Sequence, residues 1–160
     1  MNDLSIITGA PEETRGVGEK LGQYLFSSSV VALIGGLASG KTTLVQGMGQ
    51  GLEVSSPVRS PSFVLIREYA GRLPLFHFDL YRITQDKKIL NLGCEEYFYQ
   101  KRGVVVIEWA DRIKTYFPSE YLGINMSIVG TSSRKITFRP RGALYQQIVE
   151  KMRDHLKREI

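Results

Sequence analysis

The sequence predicts an α/β fold with three layers, in which helices lie on both faces of a mixed central sheet. Two short, uncharged, β-branched runs, Val30 to Ile34 and Val104 to Ile107, are typical of parallel strands buried on both faces. Segments with apolar residues at helical spacing flank these runs. Two further strand-like runs on either side of Gly71 are too close for a crossover helix, which predicts an inserted β-hairpin. The length of 160 residues predicts one domain spanning 1–160.

The first two elements are a strand and a helix. Ser5 to Thr8 predicts a short strand. Pro11 to Phe26 predicts a helix, because apolar residues recur at helical spacing and Glu12 and Glu13 suit the positive end of a helix dipole.

The strand Val30 to Ile34 comes next and is followed by a predicted helix over Thr42 to Met48. We expect this helix to end in the glycine-rich segment 47–51, since glycine disfavours helix interiors. Residues 55–61, which are rich in serine and proline, predict a loop.

The hairpin and a helical region occupy the middle of the chain. Phe63 to Tyr69 and Leu73 to Asp79 predict two strands joined by a turn at 70–72. Gln85 to Arg102 predicts helix in two pieces that separate near Gly93.

The C-terminal part begins with the buried strand Val104 to Ile107. Ile124 to Val129 and Lys135 to Arg139 predict an antiparallel pair that turns at 130–134. A last helix is predicted from about Gly142.

The segment Gly35 to Thr42 reads G-G-L-A-S-G-K-T and fits the P-loop pattern G-x-x-x-x-G-K-[ST], between a predicted strand and a predicted helix. Glycines at 35, 36 and 40 allow positive φ values and close backbone approach, so successive N–H groups can point at phosphate oxygens. The sequence therefore predicts a P-loop NTPase-like fold that binds a nucleoside triphosphate. The residues expected at the nucleotide phosphates are Gly35, Gly36, Leu37, Ala38, Ser39, Gly40, Lys41, Thr42 and Thr43.

A magnesium site is predicted beside this loop. Lys41 would reach the β- and γ-phosphates, and the Thr42 hydroxyl would bind the Mg²⁺ ion that bridges them. P-loop enzymes also need a carboxylate at the end of a neighbouring strand, and Glu108 follows the only other apolar strand that ends in an acid. We therefore predict Thr42 and Glu108 as the metal-binding side chains.

His77, Asp79 and Tyr81 alternate along the second hairpin strand, so a strand period of two places them on one face if the strand extends as far as Tyr81. Asp79 could hold a metal-bound water or orient an attacking water, and His77 could transfer a proton or orient Asp79. With Lys41 and Glu108, these two residues complete the predicted catalytic set. An exposed hairpin face is the alternative explanation of the alternation.

Three further positions are weaker candidates. Ser60 to Phe63 follows the P-loop helix at the distance where many P-loop proteins have a phosphate-sensing switch, although a proline-fixed loop explains it equally well. Thr8 and Arg134 are the predicted adenine contacts, because the base in folds of this kind commonly lies near the N-terminal segment and a late loop.

Composition points to an ordinary globular protein. Hydrophobic residues make up 42% and charged residues 23% of the chain, and no apolar stretch approaches the roughly 20 residues that span a bilayer. The N-terminus lacks the features of a secretory signal, and the single Cys94 cannot form an internal disulfide, so we expect a cytoplasmic protein. The net charge of +5 is compatible with RNA or an acidic partner.

Four motifs together resemble the TsaE family. They are G-G-L-A-S-G-K-T-T-L at 35–44, S-P-S-F at 60–63, H-F-D-L-Y-R at 77–82 and V-I-E-W-A-D at 106–111. The chain departs from the common family pattern at Gly36, where the family has aspartate, at Ala38, where it has glycine, and at Ser62, where it has threonine.

The resemblance implies a small bacterial P-loop ATPase required for the N6-threonylcarbamoyladenosine (t6A) modification of tRNA. It implies ATP and Mg²⁺ as ligands and TsaD and TsaB as protein partners, with tRNA engaged indirectly through their complex. Hydrolysis would reset that complex between turnovers. We expect weak intrinsic ATPase activity, because a transition-state group could be supplied by a partner, as arginine fingers are.

Three other functions remain open at this stage. A small-molecule kinase would use the same loop and carboxylate, but no long insertion resembles its mobile lid. A non-catalytic RNA-binding module would explain the basic pI near 9.4, but not the Mg-nucleotide motifs. A GTPase is disfavoured because no Asn-Lys-x-Asp motif is present.

Overall fold

The structure is a computed structural model that describes residues 2–60, 66–81, 93–99, 102–111 and 117–158. Within these ranges it has seven strands and four helices. In chain order they are β1 (Leu4–Thr8), α1 (Pro11–Tyr24), β2 (Val30–Gly35), α2 (Lys41–Gly51), β3 (Ile66–Tyr69), β4 (Leu75–Asp79), α3 (Cys94–Tyr99), β5 (Val104–Glu108), β6 (Tyr121–Ile128), β7 (Arg134–Arg141) and α4 (Ala143–Arg158).

The seven strands form one mixed sheet in the order β1-β7-β6-β2-β5-β4-β3. The four inner strands β6, β2, β5 and β4 are parallel, and β1, β7 and β3 pair antiparallel at the two edges. The predicted hairpin is confirmed as the antiparallel pair β3 and β4. Because β2 lies between β5 and β6, the P-loop that follows β2 is near the middle of the sheet.

Two apolar clusters lie on opposite faces of the sheet, and successive residues of a strand contribute alternately to one cluster and to the other. Val31 and Leu33 of β2 belong to the cluster with α1, α2 and α4, whereas Val30 and Ala32 belong to the cluster that includes Phe98 of α3. The predicted arrangement of helices on both faces is thereby confirmed.

Helix α2 is longer than predicted, because its glycines lie inside it and pack against α1. A Cβ at Gly47 would lie 2.0 Å from the carbonyl oxygen of Arg15, and one at Gly18 would lie 2.2 Å from the carbonyl oxygen of Leu44. Gly51 and Gly22 make equally close contacts. The helix does end within the predicted segment 47–51, at Gly51, but Gly47 and Gly49 lie inside it. Gly47 and Gly51 permit two helix backbones to touch.

The remaining predictions agree within a few residues. Helix α1 ends at Tyr24, because Leu25 has an extended backbone with φ −68° and ψ 148°. Strand β6 begins at Tyr121, three residues before its predicted start. Residues 61–65 lie outside the described residues, and so do residues 85–92 and 100–101 of the predicted helical region 85–102. The side chain of Cys94 is not described either. Among the described helices, none is long and apolar enough to cross a membrane.

Candidate nucleotide-binding site

A cleft of about 570 Å³ opens at the carboxyl-terminal edge of the parallel strands. In open α/β sheets this edge is where ligands bind, at the point where the strand order reverses. The described residues that line the cleft are Pro11, Thr14, Leu37, Ala38, Ser39, Gly40, Lys41, Thr42, Thr43, Ser60, Asp79, Tyr81, Glu108, Trp109, Thr131, Ser132 and Arg134.

The P-loop uses its glycines in different ways. Gly40 precedes α2 with φ 100°, in the left-handed region that favours glycine. A Cβ at Gly35 would lie 2.7 Å from the carbonyl oxygen of Met126, so only glycine lets β2 approach β6 so closely. Gly36 has neither constraint, because a Cβ there would meet nothing within 4 Å. Gly40 has the expected positive φ, and the approach of phosphate oxygens to the backbone of all three glycines stays a prediction.

Lys41 is folded back onto its own loop. Its Nζ donates hydrogen bonds to the carbonyl oxygens of Gly35 and Gly36, both at 2.7 Å, and to Ser39 Oγ at 3.3 Å. The same Nζ lies 4.2 Å from the centre of the Trp109 ring. Burial lowers the pKa of Lys41 from its ordinary value, and the negative charges of Glu108, Asp79 and Asp111 partly oppose this effect.

Glu108 connects the P-loop helix to the hairpin strand. The Thr42 hydroxyl donates to its carboxylate, with Oγ1 at 3.1 Å from Oε1 and 3.0 Å from Oε2. His77 Nε2 of the hairpin strand lies 2.6 Å from Glu108 Oε2. Two roles were suggested for His77, which are proton transfer and orientation of Asp79. The hydrogen-bond partner that the structure gives His77 is Glu108.

Asp79 ends β4 directly opposite Glu108 on β5, which brings two buried carboxylates to the same edge. Its Oδ1 accepts a hydrogen bond of 3.0 Å from the backbone N–H of Tyr81, and Ser60 Oγ lies 3.4 Å from Oδ2. Strand β4 ends at Asp79, so Tyr81 lies beyond the strand and not on its face as expected. Ser60 thus reaches the site, as the switch hypothesis requires, while Ser62 lies outside the described residues.

The donor set suits Mg²⁺. Thr42, Glu108 and Asp79 offer hard oxygen atoms within one cleft, and Mg²⁺ prefers a few such ligands completed by phosphates and water. No group of three or more His, Cys, Asp or Glu side chains that could hold a metal by itself occurs in the described part of the chain. A metal at this site would therefore depend on the nucleotide for part of its coordination.

Trp109 faces the cleft. Its φ of 61° is in the left-handed region, which is uncommon outside glycine. The ring covers Lys41 and contacts Tyr81, with the two ring centres 5.1 Å apart. This turn of the backbone directly after β5 lets Glu108 and Trp109 line the same cleft.

The two predicted adenine contacts lie in different positions. Arg134 lines the cleft, and its Nη1 donates to the carbonyl oxygens of Ser133 at 3.0 Å and Gly130 at 3.4 Å. Thr8 is buried and absent from the cleft lining; its hydroxyl lies 2.7 Å from that of Thr14, which does line the cleft. Thr14, and not Thr8, therefore lines the cleft in this part of the chain.

Sequence reasoning missed five cleft residues, which are Pro11, Thr14, Trp109, Thr131 and Ser132. Thr131 and Ser132 belong to the turn between β6 and β7. A run of hydroxyl residues directly after a strand parallel to β2 is a signal that could have indicated them, since carboxyl ends of parallel strands meet at one edge.

Comparisons with known proteins agree with this geometry. The sequence model of the family described as "Threonylcarbamoyl adenosine biosynthesis protein TsaE" matches residues 8–136. The chain belongs to the TsaE family. It is 36% identical over 156 residues to the tRNA threonylcarbamoyladenosine biosynthesis protein TsaE of Bacillus subtilis, covering 97% of each chain. It is 42% identical over 133 residues to the TsaE of a Nostoc species, covering 81% of each.

A solved structure supports the same assignment. The crystal structure of YdiB from Bacillus subtilis superposes with a TM-score of 0.84 at 35% identity, covering 96% of this chain and 95% of that one. In the present chain, residues of the P-loop, H-F-D-L-Y-R and V-I-E-W-A-D motifs line one cleft.

Proposed function

We propose that this protein binds Mg-ATP in the cleft and hydrolyses it as an accessory ATPase of t6A biosynthesis, acting on a complex of TsaD and TsaB. The observation that carries the proposal is the convergence of Lys41, Thr42, Asp79 and Glu108 on one cleft at the carboxyl edge of the sheet, in a member of the TsaE family. This combination is the minimum that P-loop enzymes use to bind and cleave a triphosphate.

The residues of the P-loop would hold the phosphates. Backbone N–H groups at the start of α2 carry partial positive charge and are available to phosphate oxygens, since no side chain caps this helix end. Lys41 would exchange its present carbonyl partners, Gly35 and Gly36, for phosphate oxygens. A short rotation of its flexible stem suffices, because the lysine starts within the same loop.

The carboxylates would arrange metal and water. Bound Mg²⁺ would neutralise charge that develops on the phosphates. The oxygen of the Thr42 hydroxyl could bind the metal while its proton stays hydrogen-bonded to the Glu108 carboxylate, since the two groups are already paired in this way. Asp79, whose Oδ1 accepts a hydrogen bond from the Tyr81 N–H, would accept a hydrogen bond from an attacking water.

Two features support dependence on partners. Lys41 and Arg134 are the cations among the described residues that line the cleft, and Arg134 is engaged with two backbone carbonyls. Its guanidinium would have to leave those partners to stabilise a transition state, so an added cation from a partner would raise the rate. The cleft volume suits a nucleotide, which is consistent with the tRNA being handled elsewhere in a complex.

The test is ATP hydrolysis by the purified chain, alone and with TsaD and TsaB, compared with Lys41→Ala and Glu108→Ala. Lys135→Ala and Glu95→Ala remove one exposed charge each outside the cleft and are the matched controls. Turnover that rises with the partners and is lost only in the cleft variants supports the proposal. Absence of nucleotide binding in the unaltered chain overturns it, and transfer of phosphate to an added small molecule would indicate a kinase.

A further inference from the structure

His77 is fully buried in the middle of β4, with no exposed surface, yet it is a polar residue in an apolar strand. Its Nε2 makes the 2.6 Å contact with Glu108 Oε2, while its Nδ1 has no hydrogen-bond partner among the described residues. A buried polar atom without a partner costs stability that an apolar side chain at this position would not. The presence of histidine here therefore requires an explanation other than packing.

The register of the sheet explains how His77 reaches the site. On the parallel pair β4 and β5, His77 lies opposite Val106, and Asp79 lies opposite Glu108. Side chains two residues apart on a strand share a face, so His77, Asp79 and Glu108 all point to the side on which α2 packs. His77 thus contacts Glu108 without itself lining the cleft.

The direction of the hydrogen bond depends on the His77 tautomer. With Glu108 ionised, the form in which it would bind magnesium, the carboxylate only accepts hydrogen bonds, so the proton would be on His77 Nε2. With Thr42 donating to both carboxylate oxygens, Glu108 is fixed from two sides.

We propose that His77 is a positioning residue that holds the Glu108 carboxylate against Thr42, in the orientation needed for magnesium. Glu108 is otherwise drawn to Lys41, whose ammonium it influences more strongly than any other neighbouring charge does. Without the His77 bond the carboxylate can turn toward Lys41, which removes an oxygen from the metal and competes with phosphate for the lysine. This inference rests on the proposed Mg-ATP function of the same site, and it assigns His77 no contact with substrate.

The test compares two amides that differ in reach. In His77→Gln the side-chain NH₂ falls near the position of Nε2 and can donate to Glu108, whereas the amide of His77→Asn is one methylene shorter and cannot. We expect His77→Asn to raise the Mg²⁺ concentration for half-maximal ATP hydrolysis by about tenfold, as loss of an outer partner of a metal ligand typically does. His77→Gln should restore most of the Mg²⁺ response, and His155→Gln, on α4, is the control.

Binding of a fluorescent ATP analogue, measured once with Mg²⁺ and once with EDTA, separates the two proposals. The role of His77 is refuted if the unaltered protein binds the analogue but ATP hydrolysis by His77→Gln and His77→Asn depends on Mg²⁺ as it does in the unaltered protein. The proposed nucleotide site would be unaffected by that result. If the unaltered protein binds no nucleotide, the proposed function itself fails.

A measurement on the unaltered protein covers the case in which both variants fail to fold. Long-range ¹H–¹⁵N NMR distinguishes the two ring nitrogens, and the chain has 2 histidines, so His155→Gln assigns the spectrum. A proton on His77 Nε2 supports the hydrogen bond to Glu108. A bare Nε2 overturns it, because two acceptors cannot bond.

Discussion

Substitution of Gly47 by alanine should destabilise the protein although alanine favours helices. The new Cβ would lie 2.0 Å from the carbonyl oxygen of Arg15 and 2.8 Å from its carbonyl carbon. Since favourable contacts of carbon lie at about 3.5 Å, α1 and α2 would have to separate by roughly 1.5 Å. Both contacting groups are backbone, so no rotamer change relieves the clash.

The magnitude follows from two opposing contributions. Overpacking of this kind costs about 3 kcal/mol, and the higher helix propensity of alanine returns about 1 kcal/mol, leaving a net loss of about 2 kcal/mol. Gly16→Ala is the matched control, because it is also in a helix and its Cβ would meet nothing within 4 Å. That variant should gain about 1 kcal/mol.

Urea unfolding followed by circular dichroism measures both variants. The midpoint for Gly47→Ala should fall by roughly 1 M, given typical urea slopes, and that for Gly16→Ala should rise. Because α2 begins with Lys41 and Thr42, separation of the helices should also weaken ATP binding. A Gly47→Ala protein as stable as the unaltered one would refute the close helix contact.

Three further predictions concern single contacts. Ala38→Gly should stabilise the protein by up to about 1 kcal/mol, because Ala38 has φ 61°; a lower urea midpoint would contradict this. Tyr145→Phe should cost about 1–3 kcal/mol by leaving the N–H of Val30 without its partner, the Tyr145 hydroxyl at 2.9 Å, and unchanged thermal stability would contradict it. The lowered pKa of Lys41 means that the unfolded chain binds more protons between the folded value and the ordinary 10.5, so this lysine's contribution to stability should rise with pH across that window. Urea unfolding at a series of alkaline pH values should show this slope, and Lys41→Met should remove it.

Much of the fold could be predicted because local patterns and long-range structure agree. The two β-branched runs became the neighbouring parallel strands β2 and β5, and the P-loop pattern indicated the cleft. Glu108 was found by the same logic, since a strand beside β2 ends at the edge where the loop begins.

The failures concern contacts that a single segment does not encode. Glycines that break an isolated helix also permit helices to touch, and only the tertiary structure decides between the two at Gly47. The partner of His77 depends on the register between β4 and β5, and the cleft position of Thr131 depends on β6 lying beside β2. Register and strand order are properties of the assembled sheet.

The resting position of Lys41 makes nucleotide binding an exchange reaction. In the free protein the Lys41 ammonium already donates hydrogen bonds to two carbonyl oxygens at 2.7 Å. A phosphate that binds Lys41 would therefore have to replace these carbonyl oxygens as its hydrogen-bond acceptors. The affinity gained from this lysine is therefore a difference between two sets of hydrogen bonds, and a ligand with a single phosphate that stops short of Nζ gains nothing from it. In the proposed Mg-ATP function, a loop of this kind would favour long phosphate chains and bind them reversibly, which would suit a protein that releases its spent nucleotide to act again.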